Sequence, residues 1–199
     1  MMVEKLNNSY KVVLVLDPQQ DLQLAEQRLG EALTSPLANL ASQGSLGGDG
    51  TAAALGWRAS GRPARTVRLN SDCEFGAAWI QIKTERPADL ISLRKLVSRV
   101  LPVCPLEVLR EWARTPEVWP GSLVMLMVAT RRPIIEEDLN ILKAALRVPA
   151  VRVKVAAATA AALARTPELL GALSGAASNE TDEDAFRALE YAIARCGAG

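Results

Sequence analysis

Hydrophobic and polar residues follow two different patterns along this chain, and the change between them divides it into two parts. In the first part, short apolar runs with strand-like alternation predict three strands, near 11–16, 65–70 and 77–84. From Pro87 onward the apolar residues recur at helical spacing. The sequence therefore predicts an α+β fold, with a small N-terminal α/β unit over residues 1–86 and a helical unit over residues 87–199.

One helix is predicted to cover the sheet of the first part. Asp21 is placed to cap a helix near residues 21–33, whose apolar positions share one face. A loop region is predicted over 34–51 and a hairpin loop over 71–76. The glycines of 44–51 lack the Lys and Ser/Thr ending of a phosphate-binding loop, so we interpret them as a connection.

Prolines divide the second part at nearly regular intervals. Because proline is tolerated in the first turn of a helix but not in its interior, each one marks a helix start. Two helices in about 34 residues is the rhythm of a stacked array of helical hairpins. The four prolines, 17, 16 and 18 residues apart, are Pro116, Pro133, Pro149 and Pro167. The predicted helices lie near 88–101, 105–114, 116–130, 136–146, 149–165, 167–173 and 182–196.

Two internal similarities support a repeat. The pentapeptide Ala-Arg-Thr-Pro-Glu occurs at 113–117 and again at 164–168, and each copy is predicted to end one helix and begin the next. Residues 128–131 and 162–165 are also similar, 34 residues apart. These similarities favour a repeat, with coincidence in an Ala-rich chain as the alternative.

One run of the second part resembles the second helix of a HEAT-like repeat. The residues that carry the resemblance, a Val-Arg pair, a pair of small residues and a later leucine, are Val151, Arg152, Ala156, Ala157 and Leu163. The stretch 184–195 is a weaker second match. The resemblance implies a HEAT-like antiparallel helical-hairpin array over about 87–196, used as a binding scaffold, and it implies no catalytic residue.

The composition excludes several kinds of catalytic and metal site. The chain has no histidine, which excludes Ser-His-Asp and Cys-His catalysis and histidine metal ligands. The acidic clusters 136–138 and 180–184 precede predicted helices, where carboxylates complement the helix dipole, so metal binding is the weaker interpretation. Cys73 has no histidine to activate it. We therefore predict no catalytic, cofactor-binding or metal-binding residue, and no enzyme activity.

The sequence also carries no membrane or export signal that we recognise. No apolar run reaches the length of a transmembrane helix, and the first residues lack the pattern of a signal peptide. The three cysteines are scattered, as expected in a reducing compartment. We expect a cytoplasmic protein with no membrane partner.

Charge is unevenly placed although the net charge is only +1. Bases exceed acids over 87–115, and acids exceed bases from 166 onward. Segregated charge can steer a charged partner, and ordinary solvated helix faces are the equal alternative. The acidic end supplies four candidate partner-binding residues, Glu180, Asp182, Glu183 and Asp184.

Two tryptophans complete the candidate partner-binding residues. Trp112 and Trp119 flank the first pentapeptide, and tryptophan is enriched among residues that dominate binding energy. In a chain with only 4% aromatic residues, filling the core is the competing and favoured role for either one.

These features favour a non-catalytic protein-binding module that grips one protein partner. One concrete form is an immunity or antitoxin protein that binds and neutralises a basic bacterial toxin domain through the acidic end. The alternative is a nucleic-acid-binding helical repeat that uses the basic stretch from Arg94 to Arg114, which the near-zero net charge makes less favoured. An enzyme that works without histidine is also less favoured.

Overall fold

The structure, a computed structural model, describes residues 4–6, 9–36, 38–45, 52–61, 63–72, 74–130 and 134–198. The chain forms two compact units, Met1–Cys104 and Pro105–Gly199. The first combines a sheet with two helices, and the second is helical. The predicted α+β class is therefore confirmed.

A six-stranded antiparallel sheet forms the frame of the first unit. Its strands are β1 (Glu4–Leu6), β2 (Ser9–Val15), β3 (Ala41–Ser45), β4 (Ala52–Arg58), β5 (Arg65–Asp72) and β6 (Ala77–Thr84). They are ordered β1-β2-β6-β5-β4-β3, with every neighbouring pair antiparallel. The β5–β6 hairpin confirms the predicted loop, since Asp72 Oδ1 accepts hydrogen bonds from the amides of Glu74 and Phe75. Cys73 lies outside the described residues.

Two helices, α1 (Leu22–Thr34) and α2 (Pro87–Val100), pack on one face of this sheet. Alternate strand residues point toward them, so Leu14 and Ile80 are fully buried together with Leu29 of α1. Asp21 caps α1 as predicted, because its Oδ1 accepts hydrogen bonds from the amides of residues 23 and 24 at 2.8 and 3.2 Å. The apolar face of the sheet and the two helices thus share one core.

Three strands were absent from the sequence prediction. β1, β3 and β4 join the three predicted strands, and β3 lies inside the region 34–51 that was predicted to be loop. The sequences of β3 and β4, ASQGS and AAALGWR, are rich in residues with low strand propensity. These strands form because their backbones continue an existing sheet, which residue preference alone does not reveal. Residues 46–51 lie outside the described part.

The boundary between the units also differs from the predicted one at 86/87. Helix α2 belongs to the first unit, because Leu90, Leu93 and Val97 are buried in the core under the sheet. After α2 the chain returns to the sheet, where the Cys104 amide donates to the Val15 carbonyl at 2.8 Å. The first unit therefore extends to Cys104.

The second unit consists of helices that pack in pairs. They are α3 (Leu106–Arg114), α4 (Gly121–Thr130), α5 (Glu136–Ala145), α6 (Val151–Ala164), a 3₁₀ turn (Pro167–Leu169), α7 (Leu170–Ala177) and α8 (Glu183–Gly197). Consecutive pairs α3–α4, α5–α6 and α7–α8 are in contact. Helices α4, α6 and α8 also pack side by side in one row, while α3, α5 and the 3₁₀ turn form another.

The prolines precede helices, although less directly than predicted. Pro149 lies just ahead of α6 and Pro167 begins the 3₁₀ turn, whereas Pro116 lies in a turn and α4 begins only at Gly121. Pro133 is outside the described residues.

The two pentapeptide copies occupy different places in the helical pairs. The first copy follows α3, which opens a pair, and the second follows α6, which closes one. The two copies therefore do not mark equivalent positions in the helical pairs. Each copy ends one helix and turns the chain.

Among the helices that the structure describes, none combines the length and the hydropathy needed to cross a bilayer.

Candidate protein-binding groove

A groove of about 570 Å³ lies between the end of α3 and α5 in the second unit, and we call it the α3–α5 groove. Its apolar lining comes from Ala113, Pro116, Ile141, Ala144, Ala145 and Val148. The polar lining residues, all exposed, are Arg114, Glu117, Glu136, Glu137 and Asn140. This volume is in the range of pockets that enclose a small ligand or a few side chains.

A buried ion pair fixes the two helices that line this groove. Asp138 of α5 is fully buried and receives two hydrogen bonds from Arg110 of α3. The Arg110 Nε atom lies 2.7 Å from Asp138 Oδ1, and Nη2 lies 3.3 Å from Oδ2. The bidentate hydrogen bonding with Asp138 raises the pKa of Arg110 above its usual value. Two-point contact of this kind fixes relative orientation as well as distance.

A second, exposed ion pair lies at the opening of the groove. Arg114, one helical turn after Arg110, donates to Glu137, and Glu137 Oε2 also lies 3.6 Å from Arg110 Nε. Two arginines on one face of α3 thus meet two consecutive acids in the first turn of α5. This arrangement engages Glu137 and Asp138 of the acidic cluster 136–138, which also begins a helix as predicted. No group of residues able to hold a metal ion occurs in the part of the chain that the structure describes.

The turn between α3 and α4 presents an apolar surface next to the groove. Trp112 and Trp119 pack edge to face, with ring centroids 5.5 Å apart and an interplanar angle of 76°, and both are half-buried. The Ser122 hydroxyl donates to the Trp119 carbonyl at 2.7 Å, which ties the turn to α4. Between the tryptophans, Val118 is 88% exposed. The tryptophans therefore stiffen a turn whose tip is a solvent-exposed valine.

The structure brings the four acidic candidates together but engages several of them within the chain. The Glu180 side chain is only 5% exposed, and its Oε2 lies 2.5 Å from the Lys154 Nζ of α6. Its other oxygen accepts hydrogen bonds from the amides of Thr181 and Asp182 at 2.9 and 3.0 Å. The hydrogen bond from Lys154 is the main cause that lowers the Glu180 pKa to about 2. Glu180 thus joins the segment before α8 to α6.

The remaining acids lie in the first turn of α8. Asp182 caps this helix, accepting hydrogen bonds from the amides of Asp184 and Ala185 at 3.1 and 3.0 Å. Glu183 accepts a hydrogen bond from Arg187 one turn later, and Asp184 is exposed. The negative charge at this end is therefore partly compensated by Lys154 and Arg187. A partner-binding role for these residues stays a prediction.

The basic stretch from Arg94 to Arg114 does not form one surface within either unit. Arg94, Lys95 and Arg99 are exposed on α2 of the first unit. Arg110 and Arg114 lie on α3 of the second unit and are paired with acids of α5. The predicted nucleic-acid surface is thus divided between two units, and two of its five cations are paired.

Two of the three cysteines are buried and have structural surroundings. Burial, followed by the nearby charge of Asp17, raises the pKa of the Cys104 thiol to about 11. The Cys196 sulfur lies 3.3 Å from the carbonyl of Ala161 and is fully buried. A thiol with a raised pKa is a poor nucleophile, so Cys104 has the properties of a structural residue.

No protein-family model matches this chain, and neither a curated protein nor a solved structure matches it. The functional assignment of the groove therefore rests on its geometry alone. Sequence reasoning missed it, because its apolar lining consists largely of alanines that look like ordinary helix interior. One signal was available. Arg110 and Arg114 are one helical turn apart and so share a face of their helix, and consecutive acids begin the predicted helix 136–146, the next but one along the chain.

Proposed function

We propose that this chain is a non-catalytic protein-binding module whose second unit is a HEAT-like array of helical hairpins. Support comes from the packing of that unit, where helices contact their sequence neighbours in pairs and form two rows. The resemblance of residues 149–165 to the second helix of a HEAT-like repeat agrees with this, because α6 lies centrally in one row. In such arrays, the exposed surfaces between helices are the usual places for partner contacts.

The main support for this proposal is the α3–α5 groove beside the exposed turn between α3 and α4. The groove has mostly buried apolar lining residues and exposed charged ones, which is the arrangement of a protein interface with an apolar centre and a polar edge. Val118 at 88% exposure adds a large apolar side chain that the chain itself leaves in solvent. The Arg110–Asp138 pair keeps the groove in shape before a partner arrives, which lowers the entropic cost of binding.

The charges at the groove indicate the chemistry of the partner. Glu117 and Glu136 are exposed lining residues, and no ion pair within the described residues involves either one. Arg114 is the single cation among the lining residues and is paired with Glu137. We therefore expect a partner segment that inserts an apolar side chain and places a basic residue beside it. The basic toxin domain of an immunity or antitoxin pair has this chemistry.

The experiment compares three baits, namely wild type, Ala144→Glu and Ala194→Glu. Ala144 is exposed in the groove, and Ala194 is an exposed alanine of α8 that does not line it. Proteins captured from the native host by each bait are identified, and the product of the adjacent reading frame is purified and titrated against all three by calorimetry. The larger side chain in the groove should weaken binding by about tenfold or more, because it fills the space that the apolar side chain of the partner would occupy. Ala194→Glu should bind like wild type.

Three results would contradict the proposal in different ways. Equal binding of one partner to all three baits would place the interface outside the groove. Conversion of the captured partner into a product would make the chain an enzyme. If a purified toxin-like neighbour binds wild type without losing its toxic activity, the immunity form is wrong while the binding module stands.

A further inference from the structure

The sheet face opposite α1 and α2 carries a cluster of cations. Strand register places Lys83 of β6, Thr66 of β5 and Arg58 of β4 side by side in one row. Arg68, the register partner of Gln81, lies in the next row of the same face. We call the exposed residues Arg58, Arg68 and Lys83 the cationic face. No ion pair among the described residues involves any of the three.

The spacing of these cations suits an extended polyanion. Adjacent strands lie about 4.8 Å apart and residues of one strand rise about 3.4 Å each, so Arg58 and Lys83 are about 10 Å apart at the backbone. Arg68 is displaced from their row by about 7 Å along β5. Three charges distributed over such an area match a chain of phosphates better than one carboxylate.

The charges nearest to this face leave it positive. Lys11 of β2 is the register partner of Lys83 on one side and of Glu4 on the other, at the edge of the sheet. Asp72 shares the face, but it lies four residues from Arg68, about 14 Å along the strand. Asp72 Oδ1 is also engaged by the hairpin turn through two amides. Glu85, two residues after Lys83, accepts a hydrogen bond from the Ala64 amide.

An aromatic residue lies within the same face. Trp79 is half-buried, pairs with Asn70, and is therefore diagonal to Arg68 on the neighbouring strand. The Asn70 side chain donates to the Trp79 carbonyl at 3.4 Å. Cations for phosphates beside an aromatic ring on a sheet are the elements with which proteins bind single-stranded nucleic acid.

We propose that the cationic face and Trp79 bind single-stranded nucleic acid. Arg58, Arg68 and Lys83 contact phosphates, and Trp79 stacks with a base. The site lies entirely within the first unit and is independent of the α3–α5 groove, so either assignment can fail alone. An acidic protein segment would be attracted to the same cations but would gain nothing from base stacking.

The experiment measures the anisotropy of a fluorescein-labelled oligouridylate, longer than the roughly 4–16 nucleotides that one binding fold commonly covers. The full chain is compared with the triple variant Arg58→Gln, Arg68→Gln, Lys83→Gln. The matched control removes the same charge from exposed cations of α2 in the same unit, as Arg94→Gln, Lys95→Gln, Arg99→Gln. Urea unfolding verifies that both variants fold.

We expect the face variant to lose about tenfold or more in affinity and the α2 variant to stay close to wild type. The slope of log affinity against log salt concentration should fall by about 2 in the face variant, because each phosphate contact on a single strand contributes about 0.7. Equal losses in both variants would mean that only net charge matters and would overturn the site. Absence of binding by wild type would overturn it as well.

Competition separates nucleic acid from other polyanions. Unlabelled oligouridylate should displace the probe at about a tenfold lower concentration than polyphosphate or polyglutamate of equal charge, since base stacking adds about 1–3 kcal/mol per base. If polyglutamate competes as well as oligouridylate, the face binds acidic protein segments and the proposal is wrong.

Discussion

Arg110 and Asp138 are joined by two parallel hydrogen bonds although 28 residues separate them in the sequence. Asp138 is fully buried and the Arg110 side chain is 16% exposed, so the pair lies almost wholly out of water. A charge in such a place is tolerated only while its partner is present. The pair therefore holds α3 and α5 in one relative orientation, and this orientation sets the shape of the groove between them.

Removing one member of this pair should lower the free energy of unfolding far more than replacing both members. We expect Asp138→Ala to lower the free energy of unfolding by about 3–5 kcal/mol, because it leaves Arg110 without its buried counter-charge. The double variant Arg110→Met, Asp138→Leu should recover much of that loss, since it leaves no uncompensated charge. Urea unfolding of wild type, Asp138→Ala and the double variant provides the measurement.

The neighbouring exposed pair supplies the control. Glu137 is 44% exposed, and Glu137→Ala should change the free energy of unfolding by no more than about 1 kcal/mol. A similarly small effect for Asp138→Ala would contradict the view that this contact braces the groove.

Glu180 should make stability depend on pH in the acid range. Its pKa is about 2 in the folded chain, against 4.5 for an ordinary glutamate, chiefly because Lys154 donates a hydrogen bond to it. A carboxyl group with a lowered folded pKa stabilises the fold fully above its unfolded pKa and loses that contribution as the pH falls through the folded value. The contribution of Glu180 should therefore decline between pH 4.5 and about 2.

Thermal unfolding of wild type and Glu180→Gln across this range checks the prediction. The Tm of the variant should lie below that of wild type at neutral pH, and the difference should shrink as the pH falls below 4.5. Glu183→Gln is the matched control, because the Glu183 side chain is 75% exposed and lies in the same segment. A difference between wild type and Glu180→Gln that is constant with pH would refute the assignment.

The helices could be predicted from the sequence, but several strands could not. Helix positions followed from apolar spacing and from local caps, as Asp21 and Asp182 illustrate, because these signals lie within a few residues of the effect. Strand β4 could not be predicted, since its Ala- and Gly-rich sequence gains its conformation from pairing with β5 and β3.

The candidate site was harder to predict than the fold. Glu180 looked like a free surface acid, but its partner Lys154 is 26 residues away, and only the packing of the segment before α8 against α6 brings them together. The groove likewise depends on how α3 and α5 approach each other. Tertiary contacts of this kind leave little trace in residue spacing, whereas the apolar periodicity of a single helix leaves a clear one.

The buried positions of α6 should not tolerate larger side chains. All seven of its alanines are buried, Ala160 completely, and helices α4 and α8 both pack against α6. An alanine lets these helices approach closely, and extra methyl groups in a filled core force neighbouring side chains out of their preferred rotamers. We expect Ala160→Leu to lower the free energy of unfolding by about 1–3 kcal/mol, measured by urea denaturation. Ala194→Leu makes the same change at an exposed site of α8 and should alter it by about 0.5 kcal/mol or less. Equal effects of the two substitutions would show that α6 has spare room, and the close packing of the helical row would then be an incorrect description.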